Sequence, residues 1–145
     1  MIRNNSEYVS NSLEYVYQPE IGQRVNYTAN TGTAIISAAN TNLDGTGTTY
    51  TVLTAGANGT LIKTITIKAI GNTTRGMVRL YTVGLLSSKQ IVAEVEIPAV
   101  IATSVDEAFE ITLNVDFIVS TDLLASTEKA ESFIVTAEGL DIAFP

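Results

Sequence analysis

The sequence predicts an all-β protein, an antiparallel two-sheet jelly-roll-like sandwich of about eight strands with an extended N-terminal arm. Three observations carry that prediction. Threonine, valine and isoleucine are frequent along the chain, and β-branched side chains suit a pleated, half-buried surface better than a helix. Phe109, Ile111, Leu113, Val115, Phe117 and Val119 alternate with Ala108, Glu110, Thr112, Asn114, Asp116 and Ile118; a period of two held that long specifies a strand with one buried and one wet face. Clusters of Gly, Asn, Asp and Thr recur at the spacing of sandwich turns, and no segment carries a helical period. An immunoglobulin-like sandwich is the second architecture. The absence of Cys and Trp removes its markers without excluding it.

Residues 1–32 differ from the rest and are assigned to the arm. Four of the six tyrosines, Tyr8, Tyr15, Tyr17 and Tyr27, lie there among Asn, Ser and Gln, while Pro19 and Gly22 interrupt a weak hydrophobic pattern. Such a segment builds no core of its own. Tyrosines are large amphipathic groups favoured at interfaces, so the four are expected to bind a partner. A first strand laid on its own domain is the other reading.

The sandwich domain is assigned to residues 33–145. Thr33 to Ala38 reads as a short strand and Asp44-Gly45-Thr46-Gly47-Thr48 as a glycine-rich bend. A P-loop needs a Gly-Lys-Ser/Thr ending and a following helix, so the bend is no phosphate cradle. From Asn40 to Tyr81 the turns predict a three-strand meander. Asn58-Gly59 marks a hairpin turn between a strand with Tyr50 and Val52 on one face and a strand with Leu61, Ile65, Ile67 and Ala69 on one face. Lys63 breaks that second set and is expected near the strand end, its stem along the core.

Met77 to Val83 is the next strand. Gly84 to Lys89 is a loop, with Leu85 and Leu86 at its tip. Ile91, Ala93, Val95 and Ile97 then oppose Val92, Glu94 and Glu96, and Pro98 ends the strand at a sheet edge. After the long strand come short ones at 123–126 and 132–137, and Leu140 to Phe144 closes the chain as an apolar tail. Leu53, Val92, Ile118 and Ile134 are too many apolar residues for a solvated face. They lie between the sheets or form a subunit interface.

Composition bounds the chemistry. At 145 residues the chain makes about one domain, burying roughly 68–70% of the surface its unfolded form exposes. It contains no histidine and no cysteine. The usual general base, the Ser-His-Asp and Cys-His arrangements and thiolate metal sites are thereby excluded. Ser37 and Ser120 have no histidine to activate them.

The carboxylates Glu94, Glu96, Glu110 and Asp116 sit where an alternating strand places acids for solubility, and no motif marks a catalytic pair. Asp106, Glu107, Asp116 and Asp122 lack the repeated loop spacing of a calcium site. No enzyme activity, cofactor or metal is expected. Net charge is −7 and unevenly spread: residues 1–90 hold seven basic and four acidic side chains, residues 91–145 one and eleven. The acidic balance argues against nucleic acid and anionic membranes as partners. The asymmetry is either the solvated face of the late strands or a bipolar surface that steers docking. No apolar leader or membrane span is visible, which predicts synthesis in the cytoplasm of the producing cell.

Leu43-Asp44-Gly45-Thr46-Gly47-Thr48, the turn Thr54-Ala55-Gly56-Ala57-Asn58-Gly59-Thr60 and Gly76-Met77-Val78-Arg79-Leu80-Tyr81 resemble small structural proteins of tailed bacteriophage particles. The resemblance spans about residues 40–145. It implies a jelly-roll virion protein, such as an auxiliary or decoration protein of the capsid, with no catalytic residues. Its expected partners are the major capsid protein or other virion proteins and further copies of itself. A tail or head-fibre attachment subunit is the alternative. A carbohydrate-binding sandwich would need exposed aromatics, of which only Tyr50 and Tyr81 lie outside the arm.

Overall fold

Alternating apolar and polar residues make strands that each bury one face, and two sheets of such strands close over a common core. The computed structural model describes residues 24–84 and 88–144. Among them are eight strands: β1 (Asn26–Ile36), β2 (Tyr50–Thr54), β3 (Thr60–Ala69), β4 (Gly76–Val83), β5 (Lys89–Ile97), β6 (Glu110–Val119), β7 (Asp122–Thr127) and β8 (Phe133–Ala143). Sheet 1 has the order β1-β8-β3-β6 and sheet 2 the order β2-β7-β4-β5. All strand pairings are antiparallel. This strand order is that of an eight-stranded jelly roll built from two Greek keys. No helix among the described residues is long and apolar enough to cross a membrane.

The topology corrects the expected meander. β2 lies in sheet 2, β3 in sheet 1 and β4 in sheet 2, so none of the three pairs with another. The Asn58-Gly59 segment carries the chain from one sheet to the other. Its turn bond runs from the Gly59 amide to the Gly56 carbonyl at 2.9 Å, with Gly59 at φ 94°. A turn signal specifies that the chain reverses; it does not specify in which sheet the returning strand finds its partner. The boundary of the arm also moves, because β1 begins at Asn26 and takes in residues 26–32. The strand expected at 132–137 extends through Gly139 into the expected apolar tail, as the single strand β8.

The core holds Ile36, Ile62, Ile65, Ile67, Val78, Leu80, Ile97, Leu123, Phe133 and Val135, all at or near zero exposure. Each such side chain contributes about 1.5–3 kcal/mol relative to exposure. On β6 the expected alternation holds, with Ile111, Leu113, Val115 and Phe117 packed against this core.

Of three β-bulges among the described residues, one lies between Leu80 and Tyr81 where β4 pairs with β5, and two reset parity elsewhere. One between Ile62 and Thr64 turns Lys63 outward in mid-strand, where it meets Asp116 at 2.6 Å. The placement of Lys63 at a strand end is thus corrected, and Leu61 faces outward in place of Ile62. The other bulge, between Thr51 and Leu53, buries Val52 and Leu53 together. Leu53 is therefore core at 2% exposure. On β1, Gly32 lies so close to the backbone of Val52 and Leu53 that a Cβ would clash with both.

Candidate interaction surface

The outward faces of the two sheets differ in what covers them. On sheet 2, Arg79 pairs in register with Ser126 and Glu94, and Tyr81 pairs with Leu124. These are outward positions, yet Tyr81 and Ser126 are fully buried. Residues 37–49 supply a cover. Ala39 bridges Thr127 in parallel, the Asn40 amide donates to the Thr127 carbonyl at 2.8 Å, and the Tyr81 hydroxyl donates to the Asn42 carbonyl at 3.3 Å. Asn40 holds the loop together from within. Its side-chain amide donates to the carbonyls of Thr46 and Thr48 at 3.0 and 2.7 Å, and its oxygen accepts from the Asn42 amide at 3.0 Å. The bend at Asp44 to Thr48 belongs to this cover. The Thr46 hydroxyl donates to Asp44 at 2.6 Å and holds that carboxyl below its usual value.

Among the described residues no such loop lies over sheet 1. Its register lays out four cross-strand rows on the outward face. The first is Ala29, Leu140, Leu61 and Ile118, apolar on all four strands, with Tyr27 and Ile142 paired beyond it. Ile118 is 58% exposed and Tyr27 55%, and Val25 and Phe144 at the strand ends are also exposed. The second row is Thr31, Glu138, Thr64 and Asn114. The third is Thr33, Thr136, Thr66 and Thr112, its hydroxyls hydrogen-bonded in pairs at 3.2 Å. The fourth is Ile35, Ile134, Lys68 and Glu110. The first row is apolar on all four strands and makes a continuous band across the sheet, while the fourth row carries a second apolar pair, Ile35 and Ile134, with Ile35 58% exposed. An uncovered apolar band of this kind is characteristic of an association surface.

This band contains Tyr27, one of the four tyrosines expected to bind a partner; Tyr8, Tyr15 and Tyr17 lie outside the described residues, as do Leu85 and Leu86. Of the four apolar residues in question, Leu53 lies between the sheets, Ile118 and Val92 are exposed, and Ile134 is half-buried on the outward face. Reading the sequence alone misses Leu61 and Leu140. The bulge at Lys63 reverses the parity of Leu61, and Leu140 gains meaning only once β8 lies between β1 and β3.

The carboxylates weighed for catalysis each face a cation on, or just before, the neighbouring strand: Asp116 meets Lys63 at 2.6 Å, Glu110 Lys68 at 3.7 Å, Glu96 Arg75 at 2.8 Å and Glu94 Arg79 at 3.7 Å. The Lys63–Asp116 pair lines a shallow depression with Thr64, Asn114 and Val115. Three of the four pairs are well exposed and worth about 0–1 kcal/mol each. Arg79 is the exception, with its side chain 9% exposed. Its Nε and Nη1, like Ser126 Oγ, have no hydrogen-bond partner. Among the described residues no group of three or more acidic side chains is placed to hold a metal ion.

Asp141 accepts from the Thr60 hydroxyl at 2.6 Å and from the Asn30 amide at 2.8 Å, and these bonds hold its carboxyl below the usual 3.8. This group ties together β1, β3 and β8. The two aromatics weighed for a carbohydrate platform, Tyr50 and Tyr81, are both engaged within the fold. Tyr81 is buried, and the Tyr50 hydroxyl accepts from the Ala38 amide at 3.0 Å and lies 3.4 Å from Ser37 Oγ.

No protein-family model and no curated protein sequence matches the chain. Among solved structures, the capsid asymmetric unit of cyanophage Pam1 is similar over 96% of this chain and 97% of its own, with 13% identity and a TM-score of 0.43. The jelly-roll assignment stands on the strand order and register and takes nothing from that likeness.

Proposed function

We propose that this protein is a non-enzymatic structural component of a virus particle, an auxiliary or decoration protein that binds the major capsid shell and stabilises it. The observation that carries the reading is the apolar band on sheet 1, which no described residue covers, in a jelly roll whose other outward face carries a loop of its own chain. A solvated monomer has no use for such a band, whereas a subunit packed into an assembly does. The resemblance of residues 43–48, 54–60 and 76–81 to phage structural proteins supplies the kind of assembly. Tyr27 in the band, with Tyr8, Tyr15 and Tyr17, makes up the proposed partner-binding set. The acidic balance of −7 favours protein partners over nucleic acid or an anionic membrane.

Peptide mass spectrometry on gradient-purified particles, relative to the major shell protein, tests this. Copies in the hundreds per particle are expected. A few to a dozen copies would move the protein to the tail or a head fibre, and absence from particles would overturn the virion reading.

A further inference from the structure

The two sides of the sandwich close differently. On one side β1 abuts β2: Gly32 brings their backbones together, and Ile36, Val52 and Leu53 are buried there. On the other side β6 pairs only with β3, and β5 only with β4. The inward residues Ile111, Leu113, Val115 and Phe117 of β6, and Ile91 and Ala93 of β5, are only half-buried among the described residues. The core is thus open along β6. We propose that this side pairs with the same side of a second copy, β6 running antiparallel to β6 across a two-fold axis at Asn114. The pairing is independent of the apolar band and of the virion reading.

Of the four edge strands, β6 is the one left able to accept another strand. Edges are blunted by shortening, by Pro or lysine, by bulges, or by burial against a neighbour. β2 has five residues, β5 has an extra residue at Val92 and is followed by Pro98, and β1 lies against β2. β6 has ten residues, with neither Pro nor lysine among them and no charge on its inward side. Its bulge at Val115 and Asp116 leaves Leu113 and Phe117 both facing the core.

Self-complementarity and area name a second copy as the occupant. Residues opposite each other in an antiparallel pair share a face. With Asn114 on the axis, Ile111 meets the partner's Phe117 and Leu113 the partner's Val115, so each half-buried position on β6 gains an apolar neighbour. On the outward face Asn114 meets its own copy, and a side-chain amide both donates and accepts. Glu110 falls opposite the partner's Ile118 and Asp116 opposite the partner's Thr112. An axis at Leu113 would instead set Glu110 against the partner's Asp116, a repulsive pair. The open side is about 33 Å long and roughly 15 Å wide across both strands. Two copies therefore bury about 1,000 Å², the low end of a specific interface, which predicts a dimer in the micromolar range. A second copy also brings its β5 up to β5 and covers Ile91 and Ala93, which a lone peptide strand would leave open.

The absence of cysteine lets one introduced thiol report one contact. Asn114 is exposed, and opposite Cα atoms of an antiparallel pair lie about 4.5–5.5 Å apart, within disulfide reach. Under mild oxidation, full-length Asn114→Cys is expected to form a covalent dimer at least about tenfold faster than Thr33→Cys, exposed on β1 of the same sheet, because the paired thiols meet at high effective concentration. Light scattering on full-length Asn114→Lys, which sets like charges on the axis, should show self-association weakened about fivefold, with circular dichroism unchanged. A wild-type chain that is monomeric throughout the micromolar range overturns the proposal, whether its own residues or a different protein cover β6. So does a dimer whose Asn114→Cys thiols join no faster than those of Thr33→Cys, or one that Asn114→Lys leaves equally tight. A chain absent from particles yet paired at Asn114 sinks only the virion reading, and one present in particles yet monomeric sinks only this inference.

Discussion

The two outward faces of this sandwich solve the same problem in opposite ways. Sheet 2 buries Tyr81, Leu124 and Ser126 beneath residues 37–49 of its own chain. On sheet 1 no described residue gives Ala29, Leu61, Leu140 and Ile118 such a cover. Apolar area on the first face therefore contributes to folding, whereas the second face keeps apolar area that no described residue covers. The lesson is that facing outward from a sheet does not mean facing solvent. What lies over the sheet decides whether a residue is core, interface or surface.

The contrast can be broken most forcefully at Asn40. Replacing it with Ala removes both bonds to the carbonyls of Thr46 and Thr48 and the one from the Asn42 amide. We expect a loss of about 3 kcal/mol by urea denaturation, because buried backbone groups are left without partners. Hydrogen exchange should rise in β4 and β7 and stay unchanged in β1 and β6. Equal rises in both sheets would show that the loop is not a cover for sheet 2 in particular.

At Asp141 the expected effect is smaller and depends on pH. Its folded carboxyl titrates below 3.8, so its stabilisation is fully present above that value and disappears as pH falls through the folded value. Asp141→Ala should cost about 1–2 kcal/mol at neutral pH. The stability gap between wild type and Asp141→Asn should close on acidification. A gap that widens in acid would have the wrong sign and would reject the network as drawn.

Arg79 tests the covered face from the other side. A buried guanidinium whose Nε is 3.7 Å from its carboxylate and lacks a hydrogen bond gains little for its desolvation. Arg79→Met should therefore be neutral or stabilising, within about 1 kcal/mol. A loss of several kcal/mol in melting experiments would mean that the arginine has a partner this geometry does not show.

The smallest stability effect belongs to the open face. Ile118→Ser should change unfolding free energy by no more than about 0.5 kcal/mol while weakening association. A large stability loss would mean that the band is already packed in the monomer.

Legibility from sequence divides along physical lines. The long strand at β6 could be read because one uninterrupted period of two determines both its existence and its buried face. The faces of Leu53 and Leu61 could not, because each lies beside a bulge, and a bulge is set by the pairing partner as much as by the strand itself. The meander failed for a related reason. Asn58-Gly59 turns the chain equally well within a sheet or across the sandwich edge, and only the distant pairings of β3 with β6 and β8 decide which. The cover over sheet 2 lay beyond local pattern altogether, since Asn40 and Asn42 look like any polar turn until Thr127 and Tyr81 are placed beneath them. Ile118 and Ile134 were legible as a surplus of apolar residues, though the row that gives Ile118 its meaning was not.

The bulge at Lys63 has a geometric effect on the whole of sheet 1. Between the first and second rows β8 has no additional residue, β3 has Lys63, and β6 has Val115 and Asp116. The excess backbone grows strand by strand toward one edge, and bulges bend and twist the strands that carry them. The outward face is thus creased between the apolar band and the threonine row, and the two form separate facets. A flat, rigid neighbour can rest on one facet or the other, whereas a flexible strap can follow the crease.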